Sequence, residues 1–69
     1  GDVYKRQWRQ VVGPVIAAQT RQVRLVKGTL YVHVQSSVIR NELMMQREAL
    51  VRAINEKSGM ALVAGIVVQ

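Results

Sequence analysis

The stretch "TRQVRLVKGTLYVHVQ", residues 20–35, constrains the fold more than any other. Val23 and Leu25 alternate with Gln22 and Arg24, and Leu30, Val32 and Val34 alternate with Tyr31, His33 and Gln35. Successive side chains on a strand point to opposite faces, so this pattern describes strands with one apolar face. β-branched residues are dense, and Lys27-Gly28 marks a tight turn between the two runs. The segment reads as an antiparallel hairpin with one buried face.

On either side of the hairpin the period changes. Trp8, Val11, Val12, Val15 and Ile16 fall at i, i+3, i+4, i+7 and i+8, which is one apolar face of a helix. Gly13-Pro14 interrupts it, and proline favours the first turn of a helix, so the pattern predicts a helix to about Val12 and a kink or restart carrying "PVIAAQ". After the hairpin, "SSVIRNELMMQREALVRAINEKSG" is helical, with Ser36 or Ser37 as the cap and Gly59 as the stop. Ile39, Leu43, Leu50 and Ile54 lie on one side of it. One long helix fits, and so do two broken near Gln46. Glu48, Arg52 and Glu56 are spaced for exposed ion pairs. The final "ALVAGIVVQ" is apolar in both phases and suits a last strand covered by helices on at least one face.

With 69 residues there is room for one small domain. There is no cysteine, hence no disulfide framework and no Cys-ligated metal site, which fits a cytoplasmic protein. The apolar run "MALVAGIVV" is far too short to span a bilayer. The formal charge is +6, a basic balance that points to an anionic partner, nucleic acid before membrane surface. The opening "GDVYKRQ" looks like the translation of a transposon end used to fragment DNA for sequencing. The other reading is the start of a basic helix that runs into "WRQVV"; the foreign origin is preferred, so residues 1–7 are expected not to pack on the core, with Val3 and Tyr4 extending the helix only by chance, and residues 8–69 to form the domain.

Catalytic chemistry is hard to find. The one histidine, His33, lies in mid-strand with nothing beside it in sequence to support a nucleophile. Glu42, Glu48 and Glu56 sit among arginines on a helix and read as a solvated face, not as an acid/base pair. No phosphate-cradling glycine loop is present. No catalytic residue, metal, cofactor, small-molecule substrate or membrane partner is expected, and binding is what remains.

The residues "WRQVVGPVIAAQT", a basic hairpin, "LYVHVQSSVIRNEL" and "AINEKSG" before an apolar strand together resemble the DciA family, from Trp8 to Gln69. Trp8, Val12, Gly13, Ile16, Ala17 and Thr20 match the family pattern, and "SSVIRNELMMQRE" looks like the short form found in Bacteroidota. The resemblance implies an α+β, KH-like domain: a three-stranded sheet with helices packed on one face, in the order α-α-β-β-α-α-β. It further implies a non-enzymatic replication factor that assists loading of the replicative helicase DnaB and binds single-stranded DNA weakly, without sequence specificity. Two departures stand out. The family has a further helix upstream of the tryptophan, so the chain is expected to be truncated there. Where RNA-binding KH domains carry Gly-x-x-Gly, this chain reads "LMMQRE".

The same resemblance makes Trp8 the expected helicase-binding residue, with its edge exposed at the start of the helical stripe; its other role would be as plain core. Arg21, Arg24, Lys27, Arg40 and Arg47 are the expected DNA-binding residues. Arg21 and Lys27 share one strand phase and Arg24 has the other, so their convergence requires a strongly twisted edge strand. One of Met44 and Met45 fills the core and the other is left as an adaptable contact. The alternatives are a general KH-like RNA or DNA module without a helicase role, and a structural interaction domain whose basic charge is incidental.

Overall fold

The computed structural model describes residues 3–69. In chain order the elements are α1 (Val3–Val12), α2 (Pro14–Gln19), β1 (Thr20–Val26), β2 (Thr29–Val34), α3 (Ser37–Met45), α4 (Arg47–Ser58) and β3 (Gly65–Val68). This is the α+β order expected from the resemblance. The sheet runs β1-β2-β3, with β1 antiparallel and β3 parallel to the central β2. A parallel pair needs a crossover of a dozen or more residues, and α3 and α4 supply it.

The hairpin closes on Lys27 and Gly28, both at positive φ (49° and 82°), as a two-residue type I′ turn demands. Gly28 suits that conformation; lysine does not, because its Cβ crowds the backbone at positive φ. On the helix side of the sheet, Leu30, Val32 and Val34 of β2 and Ile66 of β3 are buried against Trp8, Leu43, Leu50 and Ile54. The other face of the sheet is open: Gln22, Arg24, Val26, His33 and Val67 are exposed there. Clean alternation on β2, buried inward and polar outward, is the mark of a sheet covered on one side.

Three junctions set how the helices sit. Gly13, at φ 85° and ψ 171°, occupies a region essentially closed to other residues, and its N–H returns to Arg9 O at 3.0 Å before Pro14 starts α2. The break near Gln46 is real: α3 ends at Met45, α4 starts at Arg47, and the Gln46 N–H donates to Leu43 O. Ser36 Oγ caps α3 by accepting from Ile39 N at 3.3 Å. At the far end, Gly59 adopts the left-handed conformation that stops α4. Asn55 then clamps the following loop, its amide nitrogen donating to Val63 O and its amide oxygen accepting from Val63 N, both at 2.9 Å. Among the described residues no ion pair joins Glu48, Arg52 and Glu56.

The expectation that residues 1–7 stay off the core needs correction. Gly1 and Asp2 lie outside the described residues, but Tyr4 packs against the core and Gln7 is buried. α1 starts at Val3 and docks along α4, which carries its first turns onto the apolar layer. Gln7 is an uneasy core residue: its Oε1 finds no hydrogen-bond donor among the described residues.

Candidate nucleic-acid interface

α1 and β1 are held together by a short relay. The Trp8 indole N–H donates to Thr20 Oγ1 at 3.1 Å, and the Thr20 hydroxyl donates in turn to Ile16 O at 2.9 Å. Trp8 is thereby closed inside, with 0% of its surface exposed. The exposed edge expected of it is not there. A buried indole needs a partner for its N–H, and Thr20 is that partner. Trp8, Gly13, Ile16 and Thr20, read from the sequence as a spaced pattern, are one structural joint: the indole, the turn, the acceptor carbonyl and the hydroxyl.

Beside this joint runs a groove of about 390 Å³ between α1 and β1. Lys5 and Arg9 line it from the helix, four residues apart and so on one helical face, and Arg21 and Arg24 line it from the strand. Tyr4, Ala17, Thr20, Gln22 and Val23 complete its walls, together with Trp8. Four basic residues border it, and among the described residues no carboxylate does. Among the described residues no carboxylate pairs with Arg9, Arg21 or Arg24.

Arg21 and Arg24 meet through a β-bulge. Thr20 pairs with Val34 and Gln22 with His33, so two steps on β1 oppose one step on β2 and Arg21 is the extra residue. A bulge changes the phase of a strand and re-aims the inserted side chain. β1 does lie at the edge of the sheet, the condition for the convergence of Arg21 and Arg24, but it is the bulge that brings them together. Arg24 also stands over the Tyr31 ring, 5.3 Å from its centroid.

The other expected DNA-binding residues lie elsewhere. Lys27 is exposed at the hairpin tip and does not line the groove. Arg40 is turned onto the main chain, with Nη1 donating to Val34 O at 2.7 Å and to Gln35 O at 3.1 Å. Arg47 donates to Met44 O at 2.8 Å and secures the α3–α4 junction, beside a smaller hollow shared with Glu48, Val51 and Ile66. That junction contains no glycine, so the KH backbone clamp has no counterpart there. Met45 is the outward one of the methionine pair, at 80% exposure.

Sequence reasoning missed Lys5 and Arg9. Lys5 falls within residues 1–7, and Arg9 lies beside the apolar stripe without a motif of its own. Their i, i+4 spacing around Trp8 was the available signal.

Among the described residues no three His, Cys, Asp or Glu side chains gather as a metal site requires. No helix among them is long and apolar enough to cross a membrane. A comparison with curated proteins finds no match. The family model described as "Dna[CI] antecedent, DciA" matches residues 3–68. That match spans both the Trp8–Thr20 joint and the Asn55 clamp, and the chain belongs to the DciA family, a family of helicase loaders in DNA replication and not of catalysts.

Proposed function

We propose that this domain assists loading of the replicative helicase DnaB in the cytoplasm while holding single-stranded DNA weakly, without sequence preference, along the groove between α1 and β1. The observation that carries it is the convergence of Arg9, Arg21 and Arg24, with Lys5 beside them, on one groove where no carboxylate among the described residues pairs with the three arginines. Such a groove attracts phosphates by displacing their counterions, an interaction blind to base identity and steeply weakened by salt. Trp8 enters as the residue that holds α1 against β1, so that its effect on helicase binding is transmitted through the position of α1. Lys27 adds charge at the hairpin tip. Arg40 and Arg47, spent on carbonyls, contribute at most a diffuse field.

The test is a titration with labelled oligothymidylate at several salt concentrations. Replacing Arg9, Arg21 and Arg24 together by Ala should weaken binding and flatten the log–log salt slope by about 2, since each single-strand phosphate contact contributes roughly 0.7. Unchanged affinity and slope would place the site elsewhere. For the helicase role, the domain should increase the amount of cognate helicase retained on single-stranded DNA. No increase, together with binding that demands one RNA sequence, would favour the general KH-like module.

A further inference from the structure

The open face of the sheet carries a pair that the groove does not account for. Pairing sets Arg24 opposite Tyr31, and Tyr31 beside Val67 of β3. Strand alternation sends all three away from the helices, to the face opposite Leu30 and Val32. Tyr31 is the sole aromatic residue of the sheet, since Tyr4 and Trp8 belong to α1. No Asp or Glu occurs in any of the three strands, and Glu42, Glu48 and Glu56 all stand on α3 and α4 in the opposite layer. Arg24 also lines the basic groove, so it is common to both surfaces.

We infer that Tyr31 and Arg24 form a stacking platform for one unpaired nucleobase, at the corner where a single strand leaves the groove and turns over β1 onto the open sheet. The inference rests on the single-strand binding proposed above and adds a base contact to its phosphate contacts. A guanidinium held over a tyrosine ring is already ordered, so little side-chain freedom is lost when a base stacks against the pair. Val67 provides an apolar flank. Every base has a π face, so the contact is tolerant of sequence, as a loading factor requires. An acidic peptide would satisfy the same positive charge but offers no flat ring to the platform.

The experiment compares Tyr31→Ala, Tyr31→Leu and Tyr31→Phe on two labelled strands of equal length, oligothymidylate and an abasic deoxyribose-phosphate strand. Circular dichroism verifies the fold of each variant, and Tyr31→Leu keeps apolar cover if alanine proves too disruptive. Tyr31→Ala and Tyr31→Leu should bind oligothymidylate roughly 5- to 100-fold more weakly. Their affinity for the abasic strand and their salt slope should match the wild type, and Tyr31→Phe should retain full binding. Equal losses on both strands, or no loss on either, overturn the platform while leaving the groove in place. A wild type that binds neither strand overturns both proposals.

Discussion

Residues 1–35 hold six Lys or Arg and one Asp, whereas residues 36–69 hold four Lys or Arg and three Glu. The two halves differ more in how they use arginine than in how much they carry. In the second half Arg40 and Arg47 bend onto the backbone and secure the end of β2 and the α3–α4 junction. In the first half no carboxylate among the described residues pairs with Arg9 or Arg21 along the groove, and Arg24 leans on a ring. A guanidinium near an unsatisfied carbonyl becomes part of the structure, because charge-assisted hydrogen bonds are the strong ones. Arg21, on a bulged edge strand, makes no such bond among the described residues and remains available to a ligand. Equal formal charges therefore stand for unequal capacities to bind.

The largest effects test the joints that hold the two halves. Trp8→Ala removes a fully buried indole and leaves the Thr20 hydroxyl without its donor; denaturant unfolding should show a loss of about 3–5 kcal/mol. A domain of this size has little more than that to lose. A folded, equally stable Trp8→Ala variant would mean that the first half does not depend on the joint. Asn55→Ala removes both hydrogen bonds to Val63 and strands that residue's N–H and C=O; the expected loss is about 2–3 kcal/mol. If Asn55→Ala also weakens single-strand binding at a temperature where it is fully folded, the division between a structural half and a binding half breaks down.

Arg40 and Arg21 sharpen the comparison directly. Arg40→Ala should cost about 1–2 kcal/mol in thermal or denaturant unfolding and leave the salt slope of DNA binding unchanged. Arg21→Ala should leave stability within about 0.5 kcal/mol and lower the slope by about 0.7. The reverse pairing of effects would contradict the distinction. The smallest effect belongs to Lys27. Lys27→Asn places a residue more tolerant of positive φ in the type I′ turn and should raise stability by about 0.5–1 kcal/mol, seen as a higher unfolding midpoint. DNA affinity should fall slightly, showing that the lysine is kept at a backbone cost for its charge.

Much of the fold was legible because local rules wrote it. Val23 and Leu25 alternate with polar neighbours, Lys27-Gly28 allows one tight turn, and Gly59 ends a helix wherever the chain goes next. The site was less legible. Arg21 and Arg24 were singled out, yet strand phase separated them, and only the bulge at Arg21 removes that separation. Lys5 was excluded on grounds of origin, although Tyr4 and Gln7 beside it pack inward. Arg40 and Arg47 carry the same charge in sequence as Arg21; their acceptor carbonyls lie three to six residues back, but the sequence does not show that the side chains turn onto them.

The sequence by itself determined the order of helical and extended segments and the apolar faces that meet in the core, while the division of the second helical segment into α3 and α4 came from the structure. The order and the apolar faces depend on neighbours two, three or four residues away, and the chain cannot help expressing them. Only the tertiary structure decided that Trp8 is closed by a hydroxyl twelve residues further on. It alone decided that Arg9 of a helix and Arg24 of a strand share one groove, and that Arg40 is consumed by the end of β2. Contacts of that kind depend on how the elements dock and on where a ladder slips by one residue. Docking is set by the summed burial of many side chains, which no short window of sequence contains.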